Sequence, residues 1–181
     1  MSMATDSARE RPFVYEVVPA RQLEIPPTTR ERYITGIYAL NIEAPEDTSG
    51  DWHDVFHWLE GRRQRRPILC GGTDEVNTNH IYGDLGVYEG RANVAKKGLV
   101  FPAEMTEIYV ANHFRAILDM VYRSLQEFDK IYNLHGATVD WLDTLEQQHY
   151  VLDLAAQMTP YLSEAQQTQL NNWIESERTR F

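Results

Sequence analysis

Two groups of side chains in this 181-residue chain have the type and spacing for chemistry: His53 with His57, and four arginines packed into Arg62–Arg66. On a helix the two imidazoles lie one turn apart on a shared flank, the spacing of a paired metal ligand. Zinc takes three or four ligands. The rest would come from His80, Asp84 or His113. In that reading His53, Asp84 and His113 serve a metal-dependent hydrolase or nuclease, and the arginines hold its phosphate. The plainer reading is two polar residues beside an aromatic face, since no His-Glu-x-x-His pattern is present. Asp51, Asp84 and Glu89 are the oxygen ligands a hard cation would use. Gly50-Asp51 and Gly83-Asp84 are also natural turn pairs, in which the carboxylate accepts backbone N–H groups, and that reading is the stronger one.

Arg62, Arg63, Arg65 and Arg66 are the best case for a ligand. Four guanidinium groups in five positions repel one another, and phosphate, RNA or an acidic protein face would offset the repulsion. Trp52, Phe56 and Trp58 just upstream could stack on unpaired bases, which makes 52–66 a candidate RNA-binding module. The competing reading is a solvated loop, or pairing with the chain's own acidic helices. Cys70 precedes Gly71-Gly72, but no partner histidine is identifiable, so a nucleophilic role is disfavoured. His113 and Arg115 are two residues apart and do not face each other on a helix. No phosphate-cradling glycine loop, nucleophile elbow or cofactor motif occurs, and no cofactor is expected.

The net charge is -10. That opposes charge-driven binding to nucleic acid and permits binding to a basic protein partner. The imbalance concentrates late in the chain: residues 103–181 hold 12 Asp/Glu against 5 Lys/Arg, a balance of -7. Asp140, Asp143 and Glu146 are the acidic residues expected to meet a partner. A homo-oligomer is compatible with the composition. The single cysteine suits a reducing compartment, and no stretch has the apolar length to span a bilayer, so a cytoplasmic location away from membranes is expected.

The elements that must position these residues form an α+β fold: a small N-terminal antiparallel sheet region, then a C-terminal three-helix region. A flexible tail is expected over 1–12 and a single domain over 13–181, strand-rich over 13–101 and helical over 103–178. Strands are expected over 13–18, 32–42, 67–69 and 80–89, with Gly36 a bulge. Residues 52–60, after a turn-rich 43–50, fit either a helix or an extended segment, the extended form being preferred, and 71–79 and 90–98 read as loop and turn. A helix over 103–128 carries the apolar stripe Val110, Phe114, Ile117, Leu118, Val121, Leu125 and Phe128. Its other face carries Arg115, Asp119 and Arg123 as an exposed ion-pair ladder. Helices follow over 140–158 and 163–178, separated by Thr159-Pro160. The second opens on a capping-box pattern from Ser163 to Gln166.

Four segments carry a resemblance: 33–42 (YITGIYALNI), 48–53 (TSGDWH), 82–87 (YGDLGV) and 109–116 (YVANHFRA). Together they resemble a group of small bacterial proteins that accompany toxin–antitoxin or abortive-infection genes. The similarity covers roughly residues 33–125. The arginine cluster and the acidic helices after Phe128 depart from the pattern. The resemblance implies a defence or toxin-regulation setting and no mechanism. The favoured expectation is therefore an acidic interaction or regulatory protein that binds a basic protein. The hydrolase and the RNA-binding module are the alternatives.

Overall fold

Residues 21–46, 55–60 and 67–180 are described by a computed structural model. The expected tail over 1–12, the strand over 13–18, and Asp51, Trp52, His53, Arg62, Arg63, Arg65 and Arg66 lie outside these residues.

The order of elements is β1 (Tyr33–Ile34), α1 (Gly36–Leu40), a 3₁₀ turn (Val55–Trp58), β2 (Cys70–Gly71), α2 (Asn79–Tyr82), β3 (Val87–Glu89), α3 (Arg91–Lys96), β4 (Tyr109–Ala111), α4 (His113–Phe128), α5 (Ala137–Trp141), α6 (Leu145–Ala156), a second 3₁₀ turn (Thr159–Tyr161) and α7 (Glu164–Arg178). The fold is mixed α+β. The sheet runs β2-β1-β4-β3; its outer pairs are antiparallel, while Ile34 and Val110 pair in parallel at its centre. The N-terminal sheet is thus not wholly antiparallel, and its central strand β4 comes from the span expected to be helical.

The departures from expectation have local causes. The strand over 32–42 stops after Ile34, because Gly36 takes a left-handed backbone (φ 63°) and turns the chain into α1. The helix expected from 103 begins ten residues later. Asn112 caps it, its side-chain oxygen accepting from Arg115 N–H at 2.9 Å, and the preceding residues are extended. The span 80–89 splits into α2, a turn and β3, and 90–98 holds α3. The strand expected over 67–69 forms instead at Cys70–Gly71 as β2, and within 52–60 the described residues Val55–Trp58 make a 3₁₀ turn rather than extended chain. The helix over 140–158 is two helices, because Thr144 and Gln147 make a reciprocal capping box that starts α6 afresh. The third helix follows the sequence reading: Ser163 and Gln166 form the capping box of α7.

Helix α4 is the axis of the core. Ile117, Leu118, Val121 and Leu125 are buried against α1, β4, α6 and α7. One apolar cluster joins residues of the sheet, such as Ile34 and Val110, to Leu152, Leu170 and Trp173 of the C-terminal helices. Phe128, the end of the expected stripe, is 47% exposed. Among the described residues no helix is long and apolar enough to cross a membrane.

One acidic residue of the C-terminal region is part of this packing. Glu177 of α7 is buried. Its carboxylate accepts from the backbone N–H of Gly136 (2.6 Å) and Thr138 (3.1 Å) and from the Thr138 hydroxyl (2.7 Å), all at the start of α5. Helix α5 has only five residues and gains a fixed origin from this contact. Glu177→Ala strands three buried donors, and roughly 2–3 kcal/mol of unfolding free energy should be lost in urea titration.

Candidate functional site

Arg115 and Asp119, expected on an exposed ladder, are 1% and 0% exposed. The segment 78–86 folds over the second face of α4 and covers them. The Arg115 Nε donates to Asp119 Oδ1 at 3.2 Å and to the Thr78 hydroxyl oxygen at 3.0 Å. Its Nη1 donates to the carbonyls of Gly83 (3.1 Å) and Leu85 (2.7 Å), and its Nη2 to Asn79 Oδ1 (2.8 Å). Asp119 accepts in addition from Thr35 (2.7 Å) and Thr78 hydroxyls. The guanidinium lies near the rings of Tyr33 and Tyr82, 5.1 and 5.4 Å from their centroids.

Burial pushes the Asp119 carboxyl up from the ordinary aspartate value, and Arg115 beside it pulls it back. Burial likewise raises the Tyr33 phenol, and the Asp119 carboxylate adds to the shift. The Tyr33 hydroxyl lies close to Thr78 and Asp119 but falls outside hydrogen-bond geometry.

This network fixes the wall of a pocket. The cavity, of about 280 Å³, lies between the 82–86 turn, α4 and α6. It is near the lower end of the roughly 300–1,000 Å³ typical of ligand sites. Tyr82, Leu85, Phe114, Leu118, Tyr150 and Leu154 make its apolar sides, and Glu46 and Asn112 its polar end. Gly86 is required there: its φ is 75°, and a Cβ would come within 2.6 Å of the Asn112 Oδ1. Tyr82 donates its hydroxyl to the Leu154 carbonyl at 2.9 Å, so the ring serves as a wall. Phe114 and Tyr150 meet edge to face at 5.3 Å. Asn112 Nδ2 donates to Glu46 Oε1 at 2.7 Å.

His113 is buried beside this polar end. The carbonyl of Ile42 accepts from its Nε2 at 2.8 Å, which fixes the proton on that nitrogen; the buried Nδ1 has no hydrogen-bond partner among the described residues. Burial lowers its pKa, against the opposing pull of the Ile42 and Trp141 carbonyls and the carboxylates of Glu46 and Asp143. His113 is thus a packed residue. Glu46 at the pocket and Asp143 on the α5–α6 corner both lie close enough to bear on it.

Asp140, Asp143 and Glu146 are all exposed on that corner, among the exposed apolar side chains Val139 and Leu145. Glu146, Tyr150 and Leu154 follow at i, i+4 and i+8, so Glu146 extends the pocket-lining row of α6. Asp84 is exposed in the turn before β3, and its carbonyl accepts from Val87 N–H at 3.0 Å. Glu89 caps the start of α3: its Oε1 accepts from the N–H of Arg91 (3.0 Å) and Ile108 (3.1 Å). Among the described residues no three His, Cys, Asp or Glu side chains gather as a metal site, His57, His80, Asp84 and His113 included.

Trp58, proposed as a stacking platform for bases, is fully buried and packs edge to face on Tyr38 at 5.4 Å. Cys70 is buried in β2, and burial raises its thiol pKa, the opposite of an activated nucleophile. Glu46 and Tyr150 carry no local sequence signal. One lies in turn-forming chain and the other on an ordinary helix, and only the fold brings them to one cavity. No protein-family model matches the chain, and no curated protein or solved structure does.

Removing one partner of the buried pair leaves the other unpaired. Arg115→Met should cost about 3–5 kcal/mol in urea unfolding, and Arg115→Met with Asp119→Leu should recover a measurable part of it. The lowered His113 pKa has a defined sign. Below its ordinary value of 6.5 the unfolded chain binds the proton more readily than the folded one. This contribution is fully present above pH 6.5 and is lost as pH falls toward the folded pKa. His113→Gln, which keeps an amide donor for Ile42, should flatten the pH dependence of stability below pH 6.5, read from chemical denaturation at pH 7.5 and 5.

Proposed function

We propose that this chain is an interaction protein that binds a basic protein partner through the α5–α6 corner and the adjoining pocket. The observation that carries the reading is the clustering of carboxylates with exposed apolar side chains. Glu46, Asp143 and Glu146 flank or adjoin a pocket whose mouth presents Leu85 and Tyr150, 45% and 43% exposed. A partner with apolar anchors ringed by lysine or arginine is complementary to such a face. Opposite charge also speeds the encounter. Among the described residues the pocket lining is mainly aromatic and aliphatic, with Glu46, Asn112 and Arg115 as its polar members, a surface suited to binding and orienting a ligand. The resemblance over residues 33–125 implies a defence or toxin-regulation setting, and a toxin or a nucleic-acid enzyme would be a basic partner of the kind proposed.

The test is a tagged pull-down from the native host after nuclease treatment, with mass spectrometry. A stoichiometric basic protein should be retained. Neutralising Asp140, Asp143 and Glu146 together should weaken that complex about tenfold or more, whereas neutralising the exposed Glu104 and Glu107 should leave it within about twofold. Loss of the partner on nuclease treatment, or equal effects of the two sets, would overturn the reading.

A further inference from the structure

We infer that the pocket between the 82–86 turn, α4 and α6 is a receptor for one guanidinium group on an aliphatic stem, an arginine side chain of the partner. The inference rests on the interaction reading above and names what enters the cavity.

Three features select this ligand. The cavity, about 280 Å³, is sized for one long side chain rather than a peptide. Tyr82, Phe114 and Tyr150 line it, and aromatic faces attract cations. A planar, weakly hydrated guanidinium stacks on such rings better than a strongly hydrated ammonium. The protein does this internally, since the Arg115 guanidinium lies over the Tyr82 ring at 5.4 Å.

The polar end selects the charge. Glu46 lines the cavity, and Asn112 Nδ2 steers its carboxylate at 2.7 Å. An anionic ligand would meet the Glu46 carboxylate, and a neutral apolar one would leave it bonded to Asn112 alone, its second oxygen without a donor from the ligand. Arg115 also lines the pocket, but its charge is offset by Asp119 and by the carbonyls of Gly83 and Leu85. The leucines Leu85, Leu118 and Leu154 suit a trimethylene stem.

Two probes of equal shape and different charge test the inference: N-acetyl-arginine amide and N-acetyl-citrulline amide, titrated into the full chain and followed by NMR. The arginine probe should bind about tenfold more tightly, with contacts from its methylenes to the Phe114 and Tyr150 rings. Glu46→Gln, an exposed and conservative change, should erase most of that preference while leaving the melting temperature unchanged. Tyr150→Phe should retain binding, and Tyr150→Ala should weaken both probes. Equal affinity for the two probes, an arginine affinity indifferent to Glu46→Gln, or no binding of either at millimolar concentration would each overturn the inference.

Failure here is separable from failure of the interaction reading. If neither probe binds while neutralising Asp140, Asp143 and Glu146 still dissolves the partner complex, the guanidinium receptor is refuted and the partner reading stands. If the arginine probe binds as expected and no partner is found, the receptor stands for a free guanidinium ligand.

Discussion

Everything around α4 follows from the cost of burying a charged pair. An arginine and an aspartate removed from water must recover their hydration from fixed protein groups. Here the recovery draws on four separate segments. Thr35 comes from the end of β1, Thr78 and Asn79 from the start of α2, Gly83 and Leu85 from the next turn, and the pair itself from α4. Each contact is also a positional constraint. The carbonyls of Gly83 and Leu85 can meet one guanidinium nitrogen only if the turn takes a single shape. That shape presents Leu85 and Gly86 to the pocket. A purely apolar interior at this point would fill space equally well and would leave the turn less defined.

The acidic residues are therefore of two kinds, and composition does not distinguish them. Asp119 and Glu177 are consumed inside the molecule, one by an arginine and hydroxyls, the other by the opening backbone of α5. Glu43 and Glu89 are tied into the sheet-bearing half, the first by an ion pair with Lys96, the second by backbone N–H groups. Asp140, Asp143 and Glu146 remain exposed on the α5–α6 corner. A surface charge count overstates what faces solvent, yet the acidity left on that corner is local and close to a cavity.

What the sequence disclosed was local. The capping box of Ser163 and Gln166 and the apolar stripe from Ile117 to Leu125 both belong to single helices, and both hold. The same box at Thr144 and Gln147 was equally visible, but a continuous helical pattern masked the break. Asn112 is a readable cap as well, but the apolar residues before it extend the stripe and obscure the helix start. The errors with consequence were non-local. Arg115 and Asp119 are spaced like an exposed i,i+4 pair, and nothing within that helix says that a segment more than thirty residues earlier will cover them. The pocket was hidden for the same reason, since Glu46, Tyr82, Asn112 and Tyr150 converge only through the fold.

The parallel pairing of β1 with β4 has a consequence for how the chain is made. Ile34 meets Val110 only after the intervening residues have been synthesised. At about 5–20 residues per second, that delay lasts roughly 4–15 s. Throughout it, the inner edge of β1 has no strand to pair with, and Thr35 waits longer still for Asp119. The nascent chain thus carries an open strand edge for the whole interval between the synthesis of Ile34 and that of Val110, and the centre of the sheet closes from the C-terminal side.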